Sequence, residues 1–123
     1  MLKKLGWILV ALVLIGGFVW LVRTPGRAGK LDAFATCIKD AGATFYGAFW
    51  CPHCQNQKAL FGPSAKLLPY VECSTPDGNS QLPVCTAAGV QGYPTWKFAD
   101  GKVESGEVSL TRLAELTQCT LPE

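Results

Sequence analysis

Two regimes of hydrophobic patterning divide the chain. From Leu5 to Val22 there is no polar side at all: Leu, Ile, Val, Ala, Gly, Phe and Trp follow one another without a charge, directly after Lys3 and Lys4. A helix apolar all round suits lipid rather than a half-wet protein surface. At 1.5 Å per residue, the run reaches about 27 Å, close to the roughly 30 Å hydrocarbon thickness of a bilayer. The apolar core of a cleaved signal peptide is usually only about 7–15 residues, and no small-x-small site follows at a suitable distance. Residues 1–23 are therefore expected to form an N-terminal membrane anchor, with a cleaved signal as the alternative. Thr24 to Gly29 is a short Gly/Pro-rich linker, and residues 30–123 are left as one small domain.

In that domain the pattern becomes periodic. Leu31, Phe34, Ala35 and Ile38 recur at helical spacing and Gly42 follows as a stop, which predicts a helix over 31–41. Ala43 to Phe49 reads as a strand and runs straight into Cys51. Gln55 to Phe61 reads as helix, Gly62-Pro63 should break it, and Ser64 to Leu68 should resume it. Leu68 to Cys73 predicts a second strand, Ser74 to Ser80 a polar loop, and Pro83 to Ala88 a short helix ended by Gly89. A turn at Gly92-Tyr93-Pro94 leads into a strand to Phe98, and Ala99 to Lys102 turns the chain into a return strand over 103–106. Ser109 caps a last amphipathic helix through Leu110, Leu113, Ala114 and Leu116. The order is α-β-α-β-α-β-β-α, an α/β class.

Charge adds little. The net charge of +2, scattered over the chain, gives no basic patch for nucleic acid. Lys and Arg are nearly balanced across the apolar run, so they do not orient it. Cysteine is more informative: all six lie in the domain, and such density suits an oxidising compartment rather than a reducing cytosol. The domain is expected to face outward from a cell membrane, towards periplasm or exterior.

The candidate chemistry is in Phe49-Trp50-Cys51-Pro52-His53-Cys54. A helix starting at Cys51 brings both sulfurs to one face at its N-terminal end. Unpaired backbone N–H groups and the positive end of the helix dipole gather there and favour a thiolate. Cys51 is the expected nucleophile and Cys54 the resolving thiol, with His53, the only histidine in the chain, placed to stabilise the anion. A stabilised reduced form makes the disulfide a ready oxidant. Zinc is a poor reading, because Cys73 and Cys85 form no second close-spaced pair. Trp50 is expected on an apolar rim facing the substrate and Phe49, by alternation, in the core.

The order of elements, with W-C-x-x-C between the first strand and its helix and an x-Pro-Thr strand later, resembles the thioredoxin fold: a mixed four-stranded sheet flanked by helices. F-Y-G-A-F-W-C-P-H-C-Q, Y-V-E-C and G-Y-P-T-W are most similar to the thioredoxin-like domains fused to, or partnered with, bacterial and plastid vitamin K epoxide reductase homologues. The resemblance implies that Pro94 is cis and lies against the dithiol. It also implies that Tyr93 and Thr95, together with Trp50 and Pro52, border the docking site for a substrate chain, and that Cys73 and Cys85 form a structural disulfide, a relay pair being the alternative. Cys37 and Cys119 are then left over, and a bridge between them stays open, because six cysteines allow 15 connectivities. Thioredoxins carry a buried aspartate six residues before the first cysteine; Phe45 stands there in this chain. Glu72 is either a substitute proton acceptor or a solvated strand-end carboxylate.

These readings converge on a membrane-anchored, extracytoplasmic thiol-disulfide oxidoreductase, an enzyme without organic cofactor or metal, acting as a monomer on protein thiols. By resemblance, a membrane partner of the vitamin K epoxide reductase or DsbB type would reoxidise it with quinone. The rivals are a reductase or isomerase of the same fold, as in cytochrome c maturation, and a Cu(I) carrier using the two thiolates and His53.

Overall fold

The computed structural model describes residues 1–23 and 28–123. The expected linker over 24–29 thus lies mostly outside the described residues. Helix α1 (Leu2–Arg23) is long and apolar enough to cross a membrane, with a mean hydropathy of 2.6 over Lys3–Val22. A signal sequence has the same character.

The domain is built on four strands, β1 (Thr44–Gly47), β2 (Tyr70–Glu72), β3 (Thr95–Lys97) and β4 (Val103–Ser105), in the order β2-β1-β3-β4. β1 runs parallel to β2, with Phe45 beside Tyr70, and antiparallel to β3, with Phe45 beside Trp96. β3 and β4 form the terminal hairpin. The helices are α2 (Asp32–Asp40), α3 (Pro52–Ala59), α4 (Pro83–Ala87) and α5 (Leu110–Thr117). This is the mixed sheet flanked by helices expected of a thioredoxin fold.

The core follows from the sequence period. Phe34, Ala35 and Ile38 fall on the one buried face of α2, which packs against the 62–67 segment and α5. Phe45 is fully buried at the centre of the sheet. It stacks on Trp96 at 4.8 Å and meets the Tyr70 ring edge-on at 5.1 Å. Ser109 caps α5 by accepting from the Arg112 N–H, and Gln118, in the left-handed region at φ 58°, ends it. The next residue, Cys119, bonds back to Cys37 on α2. That bridge fastens the first helix of the domain to the last.

Two expectations need correction. The segment after Gly62-Pro63 is a 3₁₀ helix over Gly62–Leu67 rather than a resumed α-helix. Proline in its first turn removes a donor that an α-helical turn would need from the preceding helix. Phe49 is about half exposed rather than in the core. Alternation holds only while the strand lasts, and β1 stops at Gly47: the Cys51 N–H bonds to the Ala48 carbonyl, so Phe49 and Trp50 sit on a turn.

Candidate active site

Cys51 is the N-cap of α3, in extended conformation, and Pro52 takes the first helical position, where no N–H is required. The Cys51 sulfur fills the capping role usually played by a side-chain oxygen. It accepts the Cys54 backbone N–H at 3.2 Å. Both cysteines are free thiols here. Cys51 retains 4% of its surface accessible and Cys54 none. Burial, then the hydrogen bond with Cys51, pushes the Cys54 thiol from its ordinary 9.0 up to about 12. The inner sulfur is therefore held as a neutral thiol at physiological pH.

Around the dithiol the structure gathers residues remote in sequence. The Tyr93–Pro94 peptide bond is cis and Pro94 is buried. Tyr93 packs edge-on against Trp50 with ring centroids 5.9 Å apart. The Trp50 indole Nε1 donates to Ser74 Oγ at 2.9 Å, which fixes the ring while half of its surface stays exposed. Phe49 and Pro52 are exposed beside it. Thr95 is placed differently from a substrate contact: it is buried, and its hydroxyl closes the cis-proline turn by donating to the Gly92 carbonyl at 2.7 Å.

Glu72 is not a solvated strand-end carboxylate. It accepts from the Phe49 N–H at 3.2 Å, the Ser74 N–H at 2.9 Å and the Tyr70 hydroxyl at 2.7 Å. One carboxylate thus ties the turn before the dithiol to the segment that holds Trp50. Beneath Ser74, Cys73 and Cys85 are joined by a disulfide, packed with Val90 and Tyr93 in a second small core.

No family model matches the chain. The chain is 47% identical over 96 residues to the thiol-disulfide oxidoreductase LTO1 of Arabidopsis thaliana, an alignment covering 74% of the chain and 25% of that protein. It is 37% identical over 59 residues to the protein disulfide-isomerase erp38 of Neurospora crassa, covering 45% of the chain and 16% of that protein. A protein disulfide isomerase-like 5-1 of rice (Oryza sativa subsp. japonica) is 28% identical over 104 residues, 77% of the chain and 71% of its own length. The domain has the sheet and helices of a thioredoxin fold, and these similarities support a likeness to the thioredoxin superfamily. The relatives are named for thiol-disulfide exchange, and this chain carries the free Cys51 and Cys54 thiols that such exchange would use. The chain spans about a quarter of the Arabidopsis protein and less of the Neurospora one.

Three features of the site escaped the sequence reading. His53 is exposed, and its Nδ1 lies 2.8 Å from Glu107 Oε2, so the imidazole has a carboxylate partner on the solvent side of the dithiol. Gln57, one turn after Cys54, is completely buried. Its amide Nε2 donates to the Val108 carbonyl at 2.9 Å, while Oε1 accepts from the Val108 N–H at 2.7 Å and from the Trp96 indole at 3.2 Å. α3 is thereby pinned to the residue after Glu107. Gly47 has no side chain because there is no room for one: a Cβ there would lie 2.8 Å from Tyr70 Cε2 and 3.1 Å from Cys54 Sγ. Glu107 and Gln57 owe their roles to contacts across about 50 residues, which no local pattern reports.

Proposed function

We propose that the chain is a membrane-anchored protein-disulfide oxidoreductase that gives its Cys51–Cys54 disulfide to polypeptides folding outside the cytosol. The single observation carrying this is the asymmetric dithiol at the cap of α3, with Cys51 at the surface end and Cys54 sealed behind it, set against a cis-proline edge. A client thiolate attacks Cys51 Sγ and the Cys51–Cys54 bond opens. A second client thiolate then displaces Cys51, leaving the client oxidised and the dithiol reduced. Trp50, Phe49 and Tyr93 provide an apolar rim for the client, and Tyr93 with cis Pro94 presents the edge along which its backbone lies.

The donor direction is supported by the fully buried Phe45, which occupies the place of the acid a thioredoxin reductant uses, and by two further disulfides that suit an oxidising compartment. His53, on the exposed side, adds to the stability of the reduced form. α1 anchors the domain in the membrane with residues 30–123 outside, and a quinone-linked membrane protein of the vitamin K epoxide reductase or DsbB type restores the disulfide. Equilibration with glutathione tests the direction. A reduction potential near about −120 to −180 mV is expected, and one near about −270 mV would replace the donor reading with a reductase.

A further inference from the structure

Given the exchange chemistry proposed above, on which this rests, opening the disulfide forces an electron pair onto Cys54 Sγ. That sulfur is fully buried, where charge is unfavourable. The structure places one cation beside it. Lys58 lies four residues further along α3, on the same face as Cys54. Its Nζ sits 3.6 Å from the centroid of the Tyr70 ring, a cation–π seat that holds the ammonium without neutralising it. The ring edge faces the sulfur across Gly47, since the missing Cβ would touch Tyr70 Cε2 and Cys54 Sγ together. The Tyr70 hydroxyl is bound at its other end by Glu72 Oε2 at 2.7 Å.

Among the described residues, the remaining surroundings offer no second cation. Around α3 the other ionisable neighbours are Cys51 at its cap and His53; β2 contributes Tyr70 and Glu72; the neighbours from β1, Phe45 and Gly47, and from β3, Thr95 and Trp96, are uncharged. His53 is paired with Glu107 on the solvent side. The charge of Lys58 also opposes the rise that burial imposes on the Cys54 thiol.

We propose that Lys58, seated on Tyr70, is a positioning residue that compensates the negative charge released on Cys54 when a client thiolate opens the Cys51–Cys54 disulfide. The client sulfur bonds to Cys51 Sγ and the S–S pair passes to Cys54. Cys54 then takes one proton from solvent and becomes the neutral thiol, while Lys58 keeps its own proton. Lys58 thus acts on the leaving step and hardly on the final equilibrium.

The test uses the oxidised full chain in detergent, following disulfide opening by reduced glutathione through tryptophan fluorescence, for wild type, Lys58→Met, Lys58→Arg and Tyr70→Phe. An opposite charge nearby shifts a thiol by about one to three pH units, and opening rates follow roughly half of such a shift, so Lys58→Met should open about 3- to 30-fold more slowly. Lys58→Arg should restore most of the rate, and Tyr70→Phe, which keeps the ring, should stay near wild type. The glutathione equilibrium constant at pH 7 should move less than about twofold in Lys58→Met, because Cys54 ends as a neutral thiol in both proteins. Equal rates for Lys58→Met and wild type, or no rescue by Lys58→Arg, would overturn the role. So would a fall in the equilibrium constant as large as the fall in rate. If wild type and Cys51→Ser react alike, the exchange reading itself falls, and that result is independent of Lys58.

Discussion

Replacing Gln57 by leucine should weaken the domain more than its position on an otherwise exposed helix suggests. Only Cys54 and Gln57 are buried along α3, and the Gln57 amide satisfies three groups at once: the Val108 N–H, the Val108 carbonyl and the Trp96 indole N–H. Val108 and Trp96 are themselves buried, so no solvent replaces the lost partners. Each orphaned group costs about 1–3 kcal/mol. The added apolar surface of leucine recovers on the order of 1 kcal/mol. The expected net loss is about 2–8 kcal/mol, a large share of the roughly 5–15 kcal/mol that holds a domain together. In urea, with a slope of about 1–3 kcal/mol/M, the unfolding midpoint should fall by at least about 0.7 M, all disulfides being kept oxidised. Tryptophan fluorescence is a direct probe, because Trp96 is one of the stranded partners. A midpoint within about 0.3 M of wild type would refute the reasoning, since it would mean that the amide network contributes nothing net.

Other outcomes follow from the same geometry. Removing the Cys37–Cys119 bridge, whose partners are 82 residues apart, should cost about 4.5 kcal/mol on the chain-entropy account. Removing Cys73–Cys85, 12 apart, should cost about 2.9 kcal/mol; thermal unfolding of the paired alanine variants ranks them, and the reverse order would count against loop closure as the main effect. In the reduced protein Cys54 stays a thiol up to about pH 12, whereas in the unfolded chain it ionises near 9.0. Between those values the unfolded state binds fewer protons, so stability falls as pH rises, with no contribution below that window. Urea midpoints at pH 8 and 10.5 should drop more for wild type than for Cys54→Ala. Gly47→Ala should destabilise by about 1–3 kcal/mol by pushing a methyl between Tyr70 and Cys54, and unchanged melting would show that the gap can widen. Trp50→Ala should slow exchange with cysteine-containing peptides several-fold while leaving exchange with glutathione nearly unchanged, as measured by parallel kinetics on the two substrates.

Much of the fold was legible because it rests on local signals. The order of elements follows from hydrophobic period and from turn residues, and the ends of α2 and α5 lie where Gly42 and Ser109 put them. The dithiol was legible because two sulfurs at i and i+3 share a face whatever surrounds them. Phe49 was misread for an equally local reason: the pattern shows alternation, but not the residue at which a strand stops. Glu72 was misread because its partners, the Phe49 and Ser74 N–H groups, are brought to it by the parallel pairing of β1 with β2. Glu107 and Gln57 were not seen at all, since nothing near either residue distinguishes it from an ordinary polar surface position.

Those non-local contacts bear on how the two sulfurs divide their work. Cys51 and Cys54 are three residues apart and chemically identical, so the difference between them must come from what the rest of the chain places around each. At the Cys51 end the exposed aromatics Phe49 and Trp50 are fixed by Glu72 and Ser74, both flanking Cys73 of the Cys73–Cys85 bridge. At the Cys54 end the helix is held by Gln57 to the segment before α5, which the Cys37–Cys119 bridge in turn closes onto α2. Each structural disulfide therefore secures a different side of the exchanging pair. Rigid placement matters here because a sulfur displaced by about 1 Å from its line of attack loses much of its rate. On the proposed function, the two structural disulfides lie where their reduction would loosen the rim on one side or the resolving helix on the other.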